Sequence, residues 1–353
     1  MSYLELRGIN KSFGNFKASN DTNLCVEKGR LVGLLGPSGS GKTTILRIIA
    51  GLEIPDSGDI MINGKRVNDM NAGSRGIGFV FQNYALFRYM SVFENVAFGL
   101  RVKKESEAAI KKRVSELMSL VGLDGFEKRF PSQLSGGQRQ RVAFARAIAP
   151  NPQILLLDEP FAAIDAKVRQ ELRKWLRNTI GVLGITSVFV THDQDEAVEV
   201  ADEIVVINAG HVEQKGSPVD IYKHPATPFV ARFIGHSDAM ENAASFKGFE
   251  AARDFAEAIV RPEFVRVEKR GLLEDYVASA EEGVVEDISF RGDNMEIKVR
   301  VSRVLLTANY SLEKPGLSVG EKVSVLIRRI YVFDGDRTEI LENENLRENT
   351  VFI

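Results

Sequence analysis

Cysteine is almost missing: Cys25 is the single one in 353 residues, so no disulfide can close within the chain, and a reducing compartment suits it. An excess of one charge is missing too. Lys plus Arg total 46 against 48 Asp plus Glu, a net charge of −2, which gives no global field to gather nucleic acid or acidic lipid. Nucleic acid is therefore not an expected partner. Long apolar runs are absent. The densest, residues 154–157, stops at Asp158 and Glu159, far short of the roughly 18 to 20 residues that cross a bilayer. The first eight residues lack the apolar stretch of a secretion signal. A cytoplasmic location is expected, with any membrane role exercised by docking.

At this length one large domain with an appendage, or two comparable domains, is the expectation. The first two-thirds alternates short β-branched runs with amphipathic helical stretches, the pattern of an α/β fold with helices on a sheet. Strands are expected at 31–35, 78–81, 153–157, 186–191 and 203–208, and helices at 43–50, 107–121, 137–149, 166–183 and 194–201. After Gly235 a small-residue, polar stretch runs from His236 to Ala258. A boundary is placed there, giving domains 1–235 and 236–353. Beyond it Met295, Ile297, Val299 and Val301 alternate with charged residues after the turn formers Gly292, Asp293 and Asn294. Val323, Val325 and Ile327 repeat the alternation, and Asp334, Gly335 and Asp336 mark another turn. This piece reads as a small antiparallel β domain, a compact barrel.

The expected strand 31–35 runs into Gly36, Pro37, Ser38, Gly39, Ser40, Gly41, Lys42 and Thr43, a full G-x-x-x-x-G-K-T followed by a helix. That arrangement is a phosphate-binding loop: glycines let backbone N–H groups turn inward, and the helix start adds unpaired donors. Lys42 supplies a cation for the β- and γ-phosphates of ATP, and the Thr43 hydroxyl is placed to ligate Mg²⁺. An apolar strand ending in Asp158 and Glu159 complements it. Asp158 would hold Mg²⁺ directly or through water, and Glu159 would polarise the attacking water. The blander reading makes both acids ordinary residues at a strand end.

The pentapeptide Leu134, Ser135, Gly136, Gly137, Gln138 opens a helix about twenty residues before the acidic strand. It offers a hydroxyl, two close-approach glycines and a positive helix end, which suit a second anion site. It resembles the signature of ABC ATPases. The resemblance covers residues 1 to about 235 and implies a P-loop NTPase fold with a RecA-like core, an antiparallel β subdomain and a helical signature subdomain. It also implies a head-to-tail homodimer in which Ser135, Gly136, Gly137 and Gln138 face the ATP held by the other copy. Within it, Gln82 matches the Q-loop glutamine that touches Mg²⁺ or the lytic water, His192 the switch histidine, and Asp165 the D-loop. Thr44 joins the nucleotide-binding loop, and Phe13 takes the place of the aromatic that stacks on adenine, with Phe16 as its neighbouring alternative. Ala163 and Ile164 depart from the usual D-loop residues.

A single cassette with a C-terminal β appendage, similar to an OB or TOBE domain, resembles the importer ATPases of the sulfate, maltose, polyamine and ferric-iron group. Residues 87–100 look most like the sulfate/thiosulfate members. The resemblance implies two membrane-spanning permease subunits as partners, a solute-binding protein acting through them, and a peripheral position on the inner face of the membrane. Polyamine, ferric iron, molybdate or sugar stay open as cargo, as does a non-transport ABC ATPase, although the chain has one cassette and no sustained heptad run. Arg261 and Pro262 resemble the step that begins the appendage, with a structural turn or a binding role both open.

Overall fold

The computed structural model describes residues 2–162, 165–235, 237–272, 276, 279–335 and 337–346. It divides into two compact units, Met1–Val219 and Asp220–Ile353. Residues 220–235 thus go with the second unit, although the change in composition comes at Gly235. Among the described residues no helix is long and apolar enough to cross a membrane.

In the first unit, β1 (Ser2–Phe13) and β2 (Phe16–Glu27) form a long antiparallel hairpin that continues through β4 (Ser57–Ile62) to β5 (Lys65–Arg66). The second sheet runs β10 (His211–Gly216), β9 (Glu203–Asn208), β3 (Leu31–Leu35), β8 (Thr186–Thr191), β7 (Ile154–Asp158), β6 (Ile77–Val80). Its pairs are parallel except β10 with β9. Strands β3, β7 and β8 are buried along their whole length, as expected for parallel strands covered on both faces. Helix α1 (Lys42–Ala50) lies between the sheets, where Ile45, Leu46, Ile48 and Ile49 join Leu4, Leu6, Ile60, Leu156 and Val190 in one core. Helices α2 (Val92–Val102), α3 (Glu107–Leu120) and α4 (Gly136–Ile148) pack together as a helical region. Helices α5 (Ala166–Leu183) and α6 (Gln194–Val200) flank β8.

Hairpin β1–β2 and helix α2 have no counterpart among the elements expected from periodicity. Register shifts between Leu6 and Ile9, and again toward Ser12, break the alternation of β1, and β2 is largely polar.

The second unit begins with α7 (Pro218–Lys223), which straddles its boundary, and α8 (Pro228–Phe233). Two antiparallel sheets follow. One runs β11 (Asp238–Ala239), β12 (Glu257–Val260), β18 (Arg329–Asp334), β19 (Arg337–Glu342). The other runs β13 (Val265–Lys269), β17 (Lys322–Ile327), β14 (Glu281–Phe290), β15 (Asn294–Val301), β16 (Val304–Ser311). The latter curls so that its outer strands β13 and β16 approach each other, giving the barrel-like appendage expected from the alternating segments. Ile297, Val299, Val301, Val323, Val325 and Ile327 all enter its core. Asp336, expected in the last turn, lies outside the described residues.

Arg261 is fully buried in this unit. Its guanidinium donates to the Tyr222 carbonyl, to the Ile234 carbonyl at 3.2 Å and to the Tyr331 hydroxyl at 3.3 Å, and lies 3.9 Å from the Tyr222 ring centroid. It thereby ties residues 222 and 234 to the β domain, which is why the unit starts before Gly235. Burial and a 2.5 Å hydrogen bond to Glu263 raise the Tyr222 phenol to about 12.

Candidate active site

Strand β3 delivers the chain into the phosphate loop, and the protein's own backbone enforces two of its glycines. A Cβ on Gly36 would lie 2.1 Å from the Ile207 carbonyl oxygen, and one on Gly41, at φ 95°, would lie 1.7 Å from the Ala18 oxygen. Ser38 and Gly39 are exposed at the loop tip, Pro37 and Thr44 are half-buried, and Ser40 is buried. Lys42 is buried beneath them. Its Nζ donates to the Gly36 carbonyl at 2.9 Å, the Pro37 carbonyl at 2.7 Å and the Ser40 hydroxyl at 3.2 Å. Burial pushes the Lys42 pKa down, while the charges of Glu159 and Asp158 act against the shift. The Thr43 hydroxyl donates to Asp158 Oδ1 at 2.9 Å. Burial raises the Asp158 carboxyl, opposed chiefly by that hydrogen bond.

Strands β6, β7 and β8 are neighbours, and because they run parallel their C-terminal ends share one edge. Gln82, Glu159 and His192 follow these ends and meet there. Gln82 Nε2 donates to Glu159 Oε2 at 2.7 Å, and His192 Nδ1 lies 3.4 Å from Glu159 Oε1. Glu159 holds a left-handed backbone, φ 45°, where a non-glycine residue is strained. Strain of this kind at the residue that Gln82 and His192 both face favours a functional role for the strand end over the blander reading.

The signature residues form a capping box on α4. The Ser135 Oγ accepts from the Gln138 N–H at 3.3 Å, and the Gln138 Oε1 accepts from the Ser135 N–H at 2.9 Å. Gly136 is open, whereas a Cβ on Gly137 would press to 3.2 Å from Val168. Asp165 caps α5 by accepting from the Val168 N–H at 3.0 Å. The neighbouring Ala163 and Ile164 lie outside the described residues. The side-chain hydrogen bonds of Ser135 and Gln138 run to each other within the capping box. Phe13 pairs with Phe16 at the hairpin end, and the two are 49% and 50% exposed. Neither is a core residue, and both are open to a ligand.

Two parts of the site escaped sequence reasoning. The S-x-x-Q spacing at 135–138 is a legible capping-box signal, distinct from the hydroxyl, glycines and helix end that suggest an anion site. The support of the loop from the β9–β10 turn, where Gly210 N–H donates to the Ser40 carbonyl at 3.1 Å, joins residues remote in sequence and carries no local mark.

The groups present suit a nucleotide and a hard cation: a loop cradle closed to side chains at Gly36 and Gly41, a buried ammonium beside it, and a hydroxyl–carboxylate pair offering oxygen ligands. Residues 19–162 match the family model described as ABC transporter. Over 336 residues the chain is 47% identical to the sulfate/thiosulfate import ATP-binding protein CysA of Synechocystis sp., covering 94% of this chain and 95% of the relative. It is 60% identical over 236 residues to the protein of the same name from Methylococcus capsulatus, covering 66% of this chain and 68% of that one. Among solved structures, the dimeric post-hydrolysis state of the ATP-binding cassette MJ0796, bound to ADP and Pi, is similar. Its TM-score is 0.55 at 35% identity, covering 61% of this chain and 98% of that one. Phosphate loop, acidic strand end, signature helix and relatives agree: the chain belongs to the ABC transporter ATP-binding family, of importer type and like its sulfate/thiosulfate members.

Proposed function

We propose that this ABC ATPase hydrolyses MgATP as one of two identical subunits and drives the import of sulfate or thiosulfate through two permease subunits, docked on the inner face of the membrane. The observation that carries the reading is the meeting of Gln82, Glu159 and His192 beside the Lys42 loop on one sheet edge. Lys42 and the loop N–H groups, from Gly36 to Thr44, hold the phosphates, and one of the exposed Phe13 and Phe16 rings covers the adenine. Thr43 and Asp158, with Gln82, would hold Mg²⁺, which when bound offsets phosphate charge. Glu159 takes a proton from the attacking water as its oxygen bonds to the γ-phosphorus and the bond to the leaving ADP oxygen breaks. His192 and Gln82 keep that carboxylate in place. The Ser135 loop serves the ATP of the other copy in a head-to-tail pair, and the dimeric MJ0796 cassettes support the pairing of two copies. The second unit, 220 onward rather than 236 onward, carries no group of this machinery and acts as a dimerisation and regulatory appendage.

The cargo is tested in the native host. Deleting the gene should abolish uptake of radiolabelled sulfate, with restoration by the wild-type chain and none by Lys42→Ala. Undiminished uptake in the deletion strain, with ATP hydrolysis by the purified chain intact, would overturn the sulfate assignment and leave the ATPase standing.

A further inference from the structure

The loop that follows Gln82 contains two consecutive non-glycine residues in the left-handed region, Tyr84 at φ 62° and Ala85 at φ 45°. Each costs free energy that surrounding contacts must offset. The contacts are specific. Arg146, on the last turns of α4, donates from Nη2 to the Tyr84 carbonyl at 2.8 Å and from Nη1 to the Ala85 carbonyl at 2.6 Å. One planar guanidinium thus bridges both strained peptides, and its carbon lies 5.5 Å from the Phe87 ring centroid. Tyr84 is buried, its N–H donates to the Phe81 carbonyl at 2.8 Å, and its hydroxyl reaches the Ala162 carbonyl at 3.4 Å. Between Phe81 and Tyr84 stands Gln82, whose amide holds Glu159 at 2.7 Å. The helix that carries Arg146 begins at the Ser135 capping box.

We infer that Arg146 is a positioning residue for hydrolysis: it clamps the left-handed Tyr84–Ala85 pair and so sets Gln82 against Glu159, from the same helix that presents Ser135. The inference rests on the reading of Gln82 and Glu159 given above. A lysine cannot replace it, because a single ammonium lacks the two-pronged fork that spans successive carbonyls. The clamp also gives the two half-sites of one chain a common rigid element, α4, through which a shift of the signature helix moves Gln82.

The test uses the purified full chain and measures ATP turnover against ATP concentration. Arg146→Met and Arg146→Lys should each lower kcat by about 10- to 100-fold, the cost of a misplaced reacting group, with KM for ATP little changed. Ala85→Gly, which removes the penalty for a left-handed backbone, should be near wild type alone and restore most of the kcat lost in either Arg146 variant. Added to Gln82→Ala, Arg146→Lys should lower kcat little further. A rise in KM at constant kcat, or no restoration by glycine while Gln82→Ala is impaired, overturns the role of Arg146 alone. Wild-type turnover by Gln82→Ala would overturn the reading of Gln82 and the clamp with it.

Discussion

In the first unit the buried cation Lys42 is held by two carbonyls and a hydroxyl, beneath the exposed tip residues Ser38 and Gly39. In the second unit Glu268, also buried, receives hydrogen bonds from Arg266 at 2.9 Å and Lys314 at 2.7 Å, and Arg261 is enclosed by its own chain, with the Tyr222 and Tyr331 rings beside it. The shifts follow the surroundings. Burial lowers the Lys42 pKa, so the free site holds that charge against a desolvation cost that an anionic ligand would relieve. For Glu268 burial pushes the pKa up, yet the hydrogen bonds from Lys314 and Arg266 prevail and leave it lowered. Lys42 is thus a buried charge whose surroundings suit an anionic ligand, whereas Glu268 and Arg261 are matched by groups of their own unit.

The sharpest way to break this contrast is to remove Lys42. Lys42→Ala should nearly abolish ATP hydrolysis, since it removes the cation set beside the transferred phosphoryl. Near-normal ADP release by the mutant would refute the site. Glu159→Gln should keep nucleotide binding and slow hydrolysis by about 10²- to 10⁴-fold, the weight of a positioned base. Unchanged single-turnover rates would remove Glu159 from the mechanism.

In the second unit the same kind of change should act on stability. Arg261→Met leaves the Tyr222 and Ile234 carbonyls without their donor and should destabilise that unit by about 2 to 4 kcal/mol, seen in denaturant unfolding, with ATP hydrolysis within about twofold of wild type. Loss of turnover without loss of stability would show that the units do not divide their labour this way. The smallest effect concerns Glu268. Its folded pKa lies below the ordinary value of about 4.3, so its contribution is present above that pH and fades as pH falls through the lowered pKa. Glu268→Gln should therefore lower stability at neutral pH and flatten its loss on acidification. A mutant that keeps the wild-type acid dependence would assign that dependence to other carboxylates.

The two units were unequally legible. The phosphate loop, the pair Asp158 and Glu159 and the signature are contiguous, and so is the alternation of β15 and β17, so each is written in neighbouring residues. The meeting of Gln82, Glu159 and His192 depends on the order β8, β7, β6, which no local pattern encodes and which the family resemblance supplied. The start of the second unit is set by Arg261 reaching back to residues 222 and 234, while the composition changes only at 235. The left-handed turns at Tyr84, Ala85 and Glu159 carry no glycine to announce them.

The capping box at Ser135 has a further effect. Because the serine oxygen already accepts from the Gln138 N–H, one of its lone pairs is occupied and the torsion of the side chain is fixed, leaving the hydroxyl proton to be donated elsewhere. In the proposed head-to-tail pair, a phosphate arriving from the other copy would not have to freeze a spinning rotor. Side-chain ordering entropy that would otherwise oppose association is then already lost at folding, which would favour closure of the proposed pair.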